Sequence, residues 1–125
     1  MTSYPFITDT FRARCINVVD GDTIDVFLDA AFRNYRIERL RLLDVDTPEL
    51  RDRDISKRED AKAAKAQVAE WVMARTEGEW PIKIQTRKDD SFGRYLADVW
   101  WLDKDTGKEH HLNAELITEG LGVEV

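Results

Sequence analysis

At 125 residues, with 42% apolar and 10% aromatic content, the chain has room for one domain with one core, and its composition argues against wholesale disorder. No apolar run approaches the roughly 20 residues that a membrane span needs, and a single cysteine, Cys15, excludes an internal disulfide. The net charge of −6 excludes the basic surplus of a tight nucleic-acid binder and leaves room only for weak, transient binding.

Residues 1–10 read as an N-terminal extension. They contain no basic stretch leading into an apolar one, so no secretory signal is expected. The chain is therefore expected either to work inside a cell or to have had a leader trimmed away. Residues 11–125 read as one domain, without repeat, linker or low-complexity tract. Phe11 to Val19 is rich in β-branched and apolar residues and predicts a first strand, in which Cys15 is a small buried residue and not a nucleophile. Asp20-Gly21 then signals a hairpin turn, read as needing a glycine for positive φ. Thr23 to Leu28 alternates, with Ile24, Val26 and Leu28 on one face and Thr23, Asp25 and Phe27 on the other. Asp22 shares the aliphatic parity but stands at the end of the run, which places its carboxylate at the rim of a core. A third strand is expected from about Arg36 to Val45.

A helix follows, with Ser56 and Glu59 read as a capping box. Ala61, Ala64, Val68, Trp71 and Val72 form its apolar stripe, and Gly78 is its stop. Strands return at Trp80 to Thr86 and Arg94 to Leu102, joined through Lys88-Asp89-Asp90-Ser91. A short last helix is expected to be capped by Asn113 and ended by Gly120. Trp71 reads as core, and Trp80, Trp100 and Trp101 as strand packing. His110 and His111, with Cys15, are too few and wrongly spaced for structural zinc. Three strands, a helix, two strands and a helix predict an α+β fold: a five-stranded OB-fold-like β-barrel with two helices.

Three segments put charge where a fold gains little from it: Asp20-Gly21-Asp22-Thr23, Arg41 to Glu49, and Asp90-Ser91-Phe92-Gly93-Arg94. Each alone has an ordinary reading, as a turn, a strand end before Pro48, and a bulge. In this order, and followed by Leu112-Asn113 and Gly120, they resemble the staphylococcal-nuclease-like family over about residues 11–123. The family pattern runs Asp-Gly-Asp-Thr, Arg-Leu-x-x-x-Asp-Thr/Ala-Pro-Glu, Tyr-Gly-Arg-x-Leu-Ala and Leu-Asn-x-x-Leu-x-x-x-Gly.

The resemblance implies a Ca²⁺-dependent phosphodiesterase that cuts single-stranded DNA and RNA to 3′-phosphate ends; the acidic charge predicts that substrate is weakly bound, and a monomer is the default expectation for so small a chain. It implies Asp22, Asp46 and the Thr47 carbonyl as metal ligands, Glu49 as general base or water-orienting group, and Arg41 and Arg94 as the phosphate clamp. The chemistry is coherent. Oxygen donors suit a hard cation, and guanidinium forks suit the anionic transition state of phosphodiester hydrolysis. Asp20 stays open between a supporting role at the metal loop and a plain turn residue. Phe92 stands where the family has tyrosine, and the chain ends at Val125, short of the tyrosine-bearing continuation of well-known members. Both departures predict weaker substrate binding with the chemistry retained. The competing reading is a non-catalytic OB-fold module that holds nucleic acid or protein.

Overall fold

Alternating apolar and polar residues form strands here because one face of each can be buried while the other stays wet. In the computed structural model, which describes residues 2–5, 9–89 and 94–125, the first three strands are β1 (Thr10–Asp20), β2 (Thr23–Asp29) and β3 (Tyr35–Leu42). A two-residue strand β4 (Val45–Asp46) precedes helix α1 (Ile55–Ala69), which continues into a π-helical turn over Glu70–Ala74. Then come β5 (Ile82–Asp89), β6 (Tyr95–Leu102), β7 (Glu109–His111), helix α2 (Leu112–Thr118) and β8 (Val123–Glu124).

β1 pairs antiparallel with β2 and β5, β2 with β3, and β5 with β6. One parallel pairing, Leu40 with Tyr95 through Leu42 with Ala97, joins β3 to β6. That pairing closes five strands into the expected barrel and removes the open sheet edge. β7 extends from β6, and β4 pairs separately with β8. Ile24, Val26, Leu40, Ile84 and Val99 fill the interior; Val68 and Val72 of the first helical segment and Leu112 and Leu116 of α2 pack against it. Among the described residues no helix is long and apolar enough to cross a membrane.

Several local expectations are corrected. The N-cap of α1 is Asp54, whose carboxylate accepts the Ser56 N–H at 2.9 Å, so Ser56 lies inside the helix and no Ser56–Glu59 box forms. The third strand ends at Leu42 because Asp44 turns left-handed, with φ 61°, and breaks the ladder before β4. Asn113 is not a cap. His111 holds that position without a side-chain bond, and Asn113 is buried within α2. Gly21 is absent from the residues with positive φ. Its constraint is space: a Cβ there would fall 2.9 Å from Ala64 Cβ and 2.9 Å from both Thr47 Cγ2 and Oγ1. Trp80 precedes β5, half-buried against Phe27 and Tyr35. The segment Asp90-Ser91-Phe92-Gly93, and with it the substitution at Phe92, lies outside the described residues.

Candidate active site

The β1–β2 turn lies against α1 and the segment after β4, and this close approach builds the site. Asp22, at the start of β2, is 8% exposed. Its Oδ2 accepts the Thr47 backbone N–H at 3.0 Å, and its Oδ1 accepts the Thr23 hydroxyl at 3.1 Å. Asp20 turns back on the same loop, its Oδ1 accepting the Asp22 N–H at 3.1 Å. That bond is its part in the turn; Asp20 also lines the cleft beside Asp22.

Arg41, on β3, reaches across to both acidic segments. Nη1 lies 3.3 Å from Asp22 Oδ2 and donates to the Val45 carbonyl at 2.6 Å, while Nη2 pairs with Asp46 Oδ1. One guanidinium thus serves Asp22 and Asp46 together. Burial and the neighbouring Asp22 carboxylate push the Asp20 carboxyl up to about 6. Burial also acts to raise Asp22. Hydrogen bonds from Asp20, the Thr47 N–H and Thr23, with the charge of Arg41, outweigh it and hold Asp22 below the usual carboxylate range. The two carboxylates are thus pushed apart, Asp20 keeping its proton to a higher pH than Asp22 because two charges at close range repel.

Asp20, Asp22, Arg41, Asp46, Thr47, Pro48, Glu49 and Arg94 all line one open cleft of about 770 Å³. All six residues proposed from the sequence are therefore brought to one place. Glu49 and Asp46 are exposed to the cleft, whereas Asp22 and Thr47 are buried in its wall. Arg94 directly precedes the β6 residue that pairs with Leu40, next to Arg41, so barrel closure delivers it to the same mouth.

Two residues escaped the sequence reading. Arg51 lines the cleft as a third arginine; its only signal was its position two residues beyond Glu49. Asn113 acts at one remove. Its Oδ1 accepts the Val99 N–H at 3.0 Å, and its Nδ2 donates to the carbonyls of Leu43 at 3.0 Å and Ala97 at 3.1 Å. The amide stitches β6 and α2 to the segment that leads into Asp46 and Glu49.

Among the described residues no group of three or more His, Cys, Asp or Glu could hold a metal ion. Asp22, Asp46 and Thr47 make a smaller, all-oxygen donor set, whose chemistry suits a hard cation. Asp22 and Asp46 already share one cation, the Arg41 guanidinium. Beside them the Thr47 hydroxyl oxygen is buried without a hydrogen-bond partner among the described residues. Such an orphaned oxygen costs free energy unless something meets it.

The family profile described as staphylococcal nuclease homologue matches residues 39–125. The chain belongs to that family. In the staphylococcal nuclease homologues, membership points to a nuclease-like or nucleic-acid-binding function, and the barrel with two helices agrees with the fold it implies. A curated relative, Protein ParB of Escherichia coli, is 27% identical over 113 residues, which is 88% of this chain and 55% of that protein. The chain spans about half the length of the relative it matches.

Proposed function

We propose that this protein hydrolyses phosphodiester bonds in single-stranded DNA and RNA, with Ca²⁺ as cofactor, and leaves 3′-phosphate ends. The observation that carries the reading is the convergence of Asp22, Arg41, Asp46, Thr47, Glu49 and Arg94 on one cleft. Asp22, Asp46 and the Thr47 carbonyl would hold the ion, which when bound would polarise a phosphate oxygen and favour ionisation of nearby water.

The chain's own groups account for the rest. A phosphodiester is anionic and gains negative charge as it is attacked, so catalysis needs positive charge fixed in advance. Arg41 and Arg94, brought together at the cleft by the β3–β6 pairing, supply it, each as a fork that matches two phosphate oxygens. Arg41 is held in position by the Leu42 and Val45 carbonyls. Glu49 accepts a hydrogen bond from the attacking water and orients it, taking its proton as the new bond forms. Arg94 meets the charge on the departing 5′-oxygen. With an acidic chain overall, substrate is held weakly, and a monomer suffices.

The test is incubation with single-stranded DNA and with RNA in Ca²⁺, then in excess chelator, with end-group analysis of the fragments. Cleavage to 3′-phosphates in Ca²⁺, and none after chelation, is expected. Binding without cleavage at saturating substrate and ion would leave a non-catalytic module instead.

A further inference from the structure

The outward face of β1, β2 and β3 carries a feature that the cleft does not use. Phe27, Tyr35 and Trp80 have rings within 12° of parallel, with centroids 5.7, 6.0 and 6.1 Å apart. A column of three rings would set its outer members about twice as far apart as its neighbours. These rings therefore form a triangular cluster of offset stacks, the platform of this face. The Arg14 guanidinium sits 4.4 Å from the Phe27 centroid, and that of Arg12 sits 5.2 Å from Trp80. Tyr35 is 54% exposed and Ile37, on the same face, 65%.

The loop at the far end of the β2–β3 hairpin holds Ala31, Phe32 and Arg33 at φ 66°, 55° and 63°. Left-handed backbone is unfavourable for residues with a Cβ, and here it leaves Phe32 95% exposed beside Arg33. The charge of this face opposes that of the chain. On the strands of this face Arg12, Arg14 and Arg39 stand against Asp25 and Asp29, and neither Arg14 nor Arg33, in the hairpin loop, meets a carboxylate among the described residues.

The face also points at the cleft. Tyr35, Ile37, Arg39 and Arg41 share one parity of β3, a run of about 20 Å at 3.3 Å per residue, from the platform to the cleft arginine. We propose that this platform binds the single-stranded flank of the nucleic-acid substrate, its bases stacking on the aromatic and guanidinium planes while Arg14 and Arg33 meet phosphates. Stacked rings with interleaved guanidinium groups accept any base, and a barrel of this type tracks about 4–16 nucleotides. The proposal rests on the nuclease reading for its substrate class, but it can be measured apart from cleavage.

Tyr35→Ala and Arg14→Ala alter exposed side chains, and circular dichroism checks that each variant folds. Fluorescence anisotropy with a labelled 12-mer oligothymidylate, in chelator, reads binding without cutting. Each variant is expected to raise Kd about tenfold, Tyr35→Ala by the loss of one stacked base and Arg14→Ala by the loss of a phosphate contact, which also lowers the salt dependence of binding. In Ca²⁺ each should raise KM for the 12-mer by about the same factor, with kcat unchanged and cleavage of a dinucleotide unaffected. Parental Kd and KM in both variants would overturn the platform, as would a patch that serves only self-association, read by sedimentation. A parent that binds the 12-mer through the platform but never cuts it would overturn the nuclease reading alone.

Discussion

Asp22 Oδ2 accepts the Thr47 N–H at 3.0 Å across 25 residues of sequence, which ties the start of β2 to the segment carrying Asp46 and Glu49. The bond spends one lone pair of Asp22 on the fold and leaves its charge for the site. Removing the side chain and removing the charge should therefore separate. Asp22→Ala orphans a buried N–H, and urea unfolding should show a loss of about 1–3 kcal/mol. Asp22→Asn keeps an acceptor, so it should lose less stability while losing Ca²⁺-dependent activity as severely. Equal destabilisation by both would show that the charge, and not the acceptor, holds the segment.

Gly21 offers a test of close packing as against turn geometry. With a Cβ placed 2.9 Å from Ala64 Cβ and from Thr47, Gly21→Ala must push α1 or the Thr47 segment outward. A cost of about 1–3 kcal/mol is expected. Ala64→Gly in the same chain should recover part of it. A glycine needed only for its backbone angles would show no such recovery.

Asn113 satisfies one buried N–H and two carbonyls. Asn113→Ala should cost about 3 kcal/mol, near the top of the range for such losses. Because the Leu43 carbonyl is one of its partners, kcat should also fall at temperatures where the variant is still folded. Unchanged kcat in the folded variant would confine Asn113 to stability.

The barrel order was legible because period-two alternation in β1 and β2 reports burial directly. The cleft was legible because its residues are chemically costly and stand in ordered motifs. What escaped is what depends on three-dimensional neighbours. The sequence of Asn113 suits a cap, and only the approach of Leu43 and Ala97 turns it into a clamp. Gly21 reads as a turn glycine until Ala64 is seen above it. Asp54 and Ser56 are both competent caps, and the Asp52–Asp54 turn that decides between them is a local hydrogen-bond choice. The platform escaped because Trp80 and Phe27 are 53 positions apart and each alone reads as packing.

Cys15 gives a pH test with a definite sign. Burial pushes its thiol up to about 11 from an ordinary 9.0, so the folded state holds the proton more tightly than the unfolded chain. The resulting stability is fully present below pH 9 and is lost as pH rises through 11. Unfolding free energy should decline over that window by at most about 2–3 kcal/mol. Cys15→Ala should flatten the decline attributable to the thiol. In the native protein at pH 8, thiol reagents should label Cys15 only as fast as the chain opens.

Arg41 links the fold to the chemistry. In the structure its fork reaches the Val45 and Leu42 carbonyls, Asp22 and Asp46 at once, offsetting one of the two carboxylate charges. A cation bound by those carboxylates relieves Arg41 of that duty and leaves its fork for phosphate. Ca²⁺ should therefore stabilise the protein, by about 2.7 kcal/mol at a hundredfold excess over its Kd. Arg41→Lys cannot meet four acceptors with one ammonium. It should lower thermal stability without ion, respond to Ca²⁺ by a larger rise in Tm than the parent, and lose about 10²–10³-fold in kcat. Calorimetry with and without Ca²⁺ measures the first two, and a Tm response no larger than the parent's would break the link between the guanidinium and the ion.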